Sequence, residues 1–256
     1  MTGVAPTGDS VSRCFAFSLG ALLAIGCGSL SMPPPDSTIT GRFEWSQDKF
    51  DSGDYHAAIR GFEDFLLRDP LNPLADSAKL MLGEAYLLTD QELLAANEFE
   101  QLATTRPNSP LADDAQYGAC RAEWAISPKV GRDQESTART METCRELIEY
   151  FPRSKWVPAA DSILGEARTK MAEAEYQIGL WYFKRGFYES ANIYLQEVLA
   201  TYPGAPIEPE VLATLYKSLR RVGFEREAND ALEKLLTEYG DTPQAQELAS
   251  PSSGPS

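Results

Sequence analysis

Four cysteines and a single histidine carry the thiol and imidazole chemistry of this 256-residue chain. A thiol can be acylated, oxidised to a disulfide or bound to a metal, and an imidazole can act as general base or ligand. His56 stands in the turn sequence Gly53-Asp54-Tyr55-His56, with no partner group at a recognisable spacing, so it reads as a solvated turn residue. No HExxH, GxSxG, P-loop or CxxC pattern occurs. The chain is therefore expected to have no catalytic constellation, no metal site and no dissociable cofactor.

Cys27 is different, because of what precedes it. Phe15 to Gly26 form an apolar run after Arg13, too short for the roughly 20 residues of a membrane span but suited to a signal-peptide core. The run ends Leu23-Ala24-Ile25-Gly26-Cys27. This resembles the bacterial lipobox, in which a small residue precedes a cysteine that is acylated and becomes the mature N-terminus; Ala24 stands where leucine is usual. Residues 1–26 are then a signal peptide and Cys27 the lipidation site, with a covalent lipid as the one attached group. The first ten residues fit a basic leader poorly, and a start at Val11 would make Arg13 the third residue. Residues 27–40 are rich in Ser and Pro and lack helical periodicity, so they read as a tether of about 3.1 Å per residue where polyproline-like. Gly28, and not Asp, follows the cysteine, which points to the outer membrane, with the chain on its periplasmic face.

The elements that would follow such a tether are legible in an internal echo. Leu82-Gly83-x-x-Tyr86, Ala95, Phe99, Leu102 and Pro107 return at matching offsets as Ile178-Gly179-x-x-Tyr182, Ala191, Leu195, Val198 and Pro203. This is the pattern of the tetratricopeptide repeat, a helix–turn–helix unit of about 34 residues in which small residues sit at the helix crossing and proline ends the second helix. The closing residues Pro70, Pro107, Pro152, Pro203 and Gly240 mark five repeats spaced by 37, 45, 51 and 37 residues. The chain is thus expected to be all-α, an α-solenoid of about five helix pairs. The third repeat is stretched by Ile126 to Gln134, with Asp133 expected to cap the helix that follows. The fourth is preceded by an extra helical stretch, Pro158 to Lys170, that either runs on into Met171 to Arg185 or breaks before it. Residues 241–256, rich in Ser, Pro and Gly, are expected to be disordered.

Apolar content of 43% supports a real core, and a net charge of −15 argues against a nucleic-acid surface. Loss of residues 1–26 removes one Asp and one Arg, so the charge is unchanged, and it leaves Cys27, Cys120 and Cys144. Cys120 and Cys144 fall on the two helices of repeat 3. Two buried thiols are the preferred reading, because free cysteine behaves as a small hydrophobe, with a disulfide as the alternative.

The region from about Gly41 to Tyr239 resembles the BamD family, the tetratricopeptide-repeat lipoproteins of the outer-membrane β-barrel assembly machine. The likeness is carried by Arg132-Asp133-Gln134, Ala138, Leu147-Ile148 and Phe151-Pro152-x-Ser154-x-Trp156, then by Met171-Ala172-x-x-Glu175, Ile178-Gly179, Trp181-Tyr182, Arg185-Gly186, Tyr188 and Ala191. Tyr194 stands where the family commonly has arginine, Cys144 where it has a larger apolar residue, and repeat 5 lacks its closing proline. The resemblance implies a non-catalytic subunit whose C-terminal repeats (153–240) dock the periplasmic POTRA region of the barrel-forming core subunit. Tyr182, Arg185, Tyr188 and Tyr194 are the expected docking residues. The N-terminal repeats (41–152) would receive unfolded outer-membrane proteins. Helix residues outside the seam would line their inner groove: Phe43, Gln47, Phe50, Leu80, Glu84 and Leu87, unless Phe43 and Phe50 pack on the next helix. Accessory assembly lipoproteins are further implied partners. The alternative is another periplasmic repeat scaffold, serving envelope constriction or polysaccharide export.

Overall fold

The computed structural model describes residues 32–34 and 37–249. The expected signal peptide, the lipidation site Cys27 and most of the tether lie outside those residues, as does the end of the tail from residue 250. Among the described residues the chain is all-α, with five antiparallel helix pairs and a short eleventh helix. The pairs are α1 (Ile39–Asp51) with α2 (Tyr55–Arg68), α3 (Ala75–Leu87) with α4 (Glu92–Thr105), and α5 (Ala112–Ile126) with α6 (Glu135–Tyr150). Then come α7 (Val157–Lys184) with α8 (Tyr188–Thr201), and α9 (Glu208–Val222) with α10 (Glu225–Glu238).

Local chemistry starts and stops these helices. Thr38 accepts a hydrogen bond from the Gly41 amide at 3.0 Å and Asp54 one from the Ala57 amide at 3.3 Å, each satisfying a free donor of a first turn. The turns inside the first and fourth pairs pass through Gly53 and Gly186 at φ +81° and +80°, the left-handed region that glycine enters without strain. In the second pair Asp90 takes a similar conformation at φ 56°.

Packing between pairs runs through the small residues of the echo. A Cβ added to Gly83 would stand 2.6 Å from the Phe99 ring, and one added to Gly118 likewise 2.6 Å. Phe99 of α4 is therefore clamped between α3 of its own pair and α5 of the next, and it is fully buried. Acidic residues in the first turn of three helices tie down the connections. Asp76 accepts from Ser109 Oγ at 2.7 Å and faces Arg106 at 3.5 Å. Asp114 accepts from Trp156 Nε1 at 2.7 Å. Glu208 accepts from the Gly204 amide at 2.6 Å and from Lys234 Nζ at 2.5 Å. Each carboxylate also faces the positive end of its own helix. Burial by itself would raise the Glu208 carboxyl, but Lys234 and the Gly204 amide outweigh it and hold it below the usual carboxylate range.

The structure corrects several expectations and decides one that the sequence left open. Cys120 and Cys144 are buried as expected, yet they are joined as a disulfide with Cα atoms 5.0 Å apart, because the two small side chains face each other across α5 and α6. Asp133 is not the helix cap itself: Gln134 occupies that position, and the Asp133 carboxylate reaches past it to the Glu135 amide at 3.0 Å. The stretch after Trp156 is one unbroken helix of 28 residues, with Pro158 tolerated in its first turn. The tail is helical over α11 (Pro243–Ala249), where Ala245 is buried in the C-terminal core and Gln244 donates to Glu210 at 2.8 Å. A terminal repeat leaves its last apolar face uncovered, and α11 covers it.

The disulfide closes a loop across a sequence separation of 24. Replacing both cysteines by alanine is expected to cost about 3 kcal/mol, chiefly through the freed unfolded chain. Urea denaturation of the double variant beside the oxidised parent measures this; equal midpoints would show that the cross-link contributes nothing.

Candidate functional site

Helix α7 is about 42 Å long and its neighbour α6 about 24 Å, from 28 and 16 residues at 1.5 Å per residue. Its first half packs on the third pair: Trp156, Ala160, Ile163 and Leu164 join Leu147 and the disulfide in one apolar cluster. Tyr117 stacks on Trp156 with ring centroids 4.4 Å apart. The second half of α7 runs past the start of α6. A mainly apolar cleft of about 530 Å³ opens there, between the loop at Gly131–Gln134 and Met171, Ala174, Ile178 and Trp181 of α7.

Beyond the cleft the aromatic side chains converge. Tyr182 stacks on Tyr194 of α8, with centroids 5.2 Å apart and planes 10° apart. Trp181 meets Tyr182 edge-on at 4.9 Å, and the Arg185 guanidinium lies 3.9 Å above the Trp181 ring. Phe187 approaches Tyr182 at 6.4 Å, and Tyr188 packs separately against Phe183 at 5.7 Å. Three of the expected docking residues, Tyr182, Arg185 and Tyr194, thus share one cluster, with Tyr188 beside it. Ile178, Trp181 and Phe187 are 45%, 47% and 56% exposed. The sequence did not mark these three as an exposed apolar surface, although 178, 181 and 185 fall on one side of α7, off the seam that buries Ala172, Tyr176 and Gly179. Glu175 also lines the cleft. Burial raises its carboxyl, against a hydrogen bond from the Tyr202 hydroxyl at 2.9 Å.

The two copies of the echo have separate fates. Leu82 is 2% exposed and Ile178 is 45% exposed. Tyr86 is buried and donates to Glu63 of the preceding pair at 2.6 Å, whereas Tyr182 stacks within its own pair. The other seam residues of the second copy, Gly179, Ala191, Leu195 and Val198, are buried like their counterparts, but the third pair does not reach far enough along α7 to cover Ile178.

The expected N-terminal groove is only partly a surface. Phe43 is buried, 5.9 Å from the Phe62 ring and 5.6 Å from that of Phe65, so it belongs to the core and does not line a groove. Its position faces the second helix of its own pair, which the spacing of a single helix does not reveal. Phe50 is half-buried with its ring edge-on to Tyr55 at 5.4 Å, and Leu80 and Leu87 are half-buried against the same core. Gln47 is exposed. Glu84 pairs with Arg121 of α5 at 2.9 Å. His56 is exposed in the first turn of α2. Among the described residues no group of three or more His, Cys, Asp and Glu is placed to hold a metal ion, and no helix is long and apolar enough to cross a membrane.

Comparison with known proteins matches most of the chain. The family model YfiO, described as outer membrane lipoprotein, matches residues 35–246. The outer membrane protein assembly factor BamD of Caulobacter vibrioides is 24% identical over 183 residues, covering 71% of this chain and 59% of that relative's length. Its namesake in Neisseria meningitidis serogroup A is 24% identical over 244 residues, covering 88% of this chain and 90% of the relative. Among solved structures, a thermophilic TPR protein of Thermus thermophilus aligns at 18% identity and a TM-score of 0.38, over 82% of this chain and 96% of that one. The MamA protein aligns at 18% and 0.37, over 85% and 98%.

The unequal burial of the echo is testable by stability alone. Leu82→Ala is expected to cost about 3 kcal/mol, as buried leucine truncations do. Ile178→Ala is expected to stay within about 0.5 kcal/mol. Chemical denaturation of the two variants decides it; equal losses would mean that Ile178 is covered.

Proposed function

The chain belongs to the YfiO family of outer membrane lipoproteins, and on that premise we propose that it is a non-catalytic scaffold subunit of the β-barrel assembly machine. The exposed aromatic surface at the end of α7 and the start of α8 docks the periplasmic POTRA region of the barrel-forming core subunit. The N-terminal pairs receive unfolded outer-membrane proteins along the surface that Gln47, Phe50, Leu80, Glu84 and Leu87 leave accessible. Accessory assembly lipoproteins complete the complex, and acyl chains on Cys27 hold the chain to the periplasmic face of the outer membrane.

The observation that carries the docking assignment is the exposure of Trp181 and Phe187 around the Tyr182–Tyr194 stack, with Arg185 laid over Trp181. Binding energy at protein interfaces concentrates in Trp, Tyr and Arg that a partner can desolvate. The stack also presents two rings already ordered before binding, which lowers the entropy lost on association. The relatives named as outer membrane protein assembly factors support the same setting. A chain with net charge −15 is suited to protein partners and not to nucleic acid.

Trp181→Ala combined with Arg185→Glu is expected to weaken association with the core subunit by at least about 2 kcal/mol, roughly thirty-fold, with the helical signal unchanged. Affinity purification of the lipidated chain from solubilised envelopes measures it, and undiminished recovery of the core subunit would move the docking surface elsewhere. Cys27→Ala is expected to leave the protein in the periplasmic fraction, with no incorporation of labelled palmitate. An alanine variant that still sediments with the outer membrane would show that the acyl group is not its main anchor.

A further inference from the structure

The first helix pair carries an apolar feature at the end where the tether arrives. Arg42, 5% exposed, fixes that end. Its Nη1 donates to Asp64 Oδ2 at 2.5 Å and its Nη2 to the Pro34 carbonyl at 3.4 Å, while Arg68 Nε donates to the second Asp64 oxygen at 2.8 Å. Pro33 is buried. Residues 32–34 are therefore held near the last turns of α2, and the tether leaves the fold at that point.

At this same end stand Leu67 and Leu71, 84% and 82% exposed. They are the two most exposed large apolar side chains among the described residues, and Met32 beside the tether is 48% exposed. The nearby carboxylates are engaged: Asp64 by Arg42 and Arg68, and Asp69 by Asn72 Nδ2 at 2.9 Å. Asn72 is neutral, but the two arginines balance Asp64 and Asp69, so in a chain of net charge −15 the charged groups named at this end sum to zero. Cys27 precedes Met32 by five residues, a distance of at most about 18 Å when fully extended. An acylated Cys27 must therefore keep the end of α2 close to the bilayer.

We propose that Leu67, Leu71 and Met32 form an apolar foot that enters the lipid surface beside the acyl anchor. The foot rests on the reading that Cys27 is acylated. An amphipathic surface lying in the headgroup–acyl boundary buries its apolar side chains to about 5–10 Å, within reach of side chains that project from a helix end. The acyl chains supply most of the membrane affinity. The leucines add a second contact, which converts a free tether into a fixed orientation of the first pair on the membrane.

The test uses the mature, lipidated full chain in vesicles of phosphatidylethanolamine and phosphatidylglycerol. Leu67→Cys and Leu71→Cys each provide one free thiol for an environment-sensitive fluorophore, since Cys27 is acylated and Cys120 and Cys144 are joined. Leu93→Cys is the control, because Leu93 is 71% exposed in the first turn of α4, at the opposite end of the second pair. The expected result is a blue shift, and loss of emission to brominated lipid, at positions 67 and 71 but not at 93. Vesicle-bound, acylated protein with all three probes equally water-exposed would overturn the foot and leave the anchor standing. Mass spectrometry showing no acyl group on Cys27 would overturn both. Probes shielded only after an assembly partner is added would assign the leucines to a protein contact and overturn the lipid assignment.

Discussion

The Phe99 ring, held between two glycines on two different helices, is the contact on which the solenoid depends. With Gly83 on one side and Gly118 on the other, each so close that a methyl group would stand 2.6 Å from ring carbons, one side chain sets two helix spacings at once. The first spacing builds the α3–α4 pair and the second joins that pair to α5. A weaker version recurs where a Cβ on Gly179 would meet Leu195 at 3.0 Å, and a related one where Gly61 of α2 admits Trp45 of α1. Close approach of the backbones lets alanines complete the seam, and Ala58, Ala78, Ala95, Ala119 and Ala122 are all buried in the same cluster. Such a core is dense but thin. Each pair is stabilised mainly by its neighbours, as expected for a quasi-one-dimensional fold.

Charge is organised around that core. The chain carries 38 acidic and 23 basic residues, and four of its buried or part-buried carboxylates sit where they bind something. Asp64, Asp76, Asp114 and Glu208 all lie at helix ends or between pairs, and each holds a neighbouring segment through a cation, an amide, an indole or a hydroxyl. Asp64 latches α1 to α2 within the first pair, Asp76, Asp114 and Glu208 hold the connections between pairs, and Glu123 is buried against Arg139. Among the described residues Glu210 Oε2 is buried without a partner, and Asn192 is buried with neither side-chain polar atom partnered, in a position where the second pair has Ala96. Nothing in the structure explains it.

The proposed docking surface follows from a mismatch of lengths. A repeat of standard size would bring the third pair alongside the whole of α7. The long loop before α6 and the added turns of α7 displace the two, so the second half of the helix keeps an open apolar side. The side chains there are of core type, which is why a stack such as Tyr182 on Tyr194 is ordered without a partner and still accessible to one. Of the apolar leucines at the tether end, Leu67 is on α2 and Leu71 in the connection that follows it, whereas this surface is built by α7 and α8.

Read as a sequence, the chain already specified five helix pairs, their turns and their closing residues, because these depend on local spacing: 3.6-residue periodicity, glycine at a left-handed turn, proline past a helix end. Of the four residues expected from the sequence to dock a partner, Tyr182, Arg185 and Tyr194 share one aromatic cluster and Tyr188 packs beside it. Other features depend on residues far apart in sequence. Phe43 faces Phe62 and Phe65 in place of a groove, Cys120 meets Cys144, and α11 finds an uncovered face of the last pair. The echo shows the division most clearly. Leu82 and Ile178 occupy the same position of the same motif, and the motif alone places both in a seam. Tertiary structure decides that Leu82 is sealed by the preceding pair while Ile178 is not, since burial requires a second surface, and only the register of α6 against α7 determines whether that surface is there.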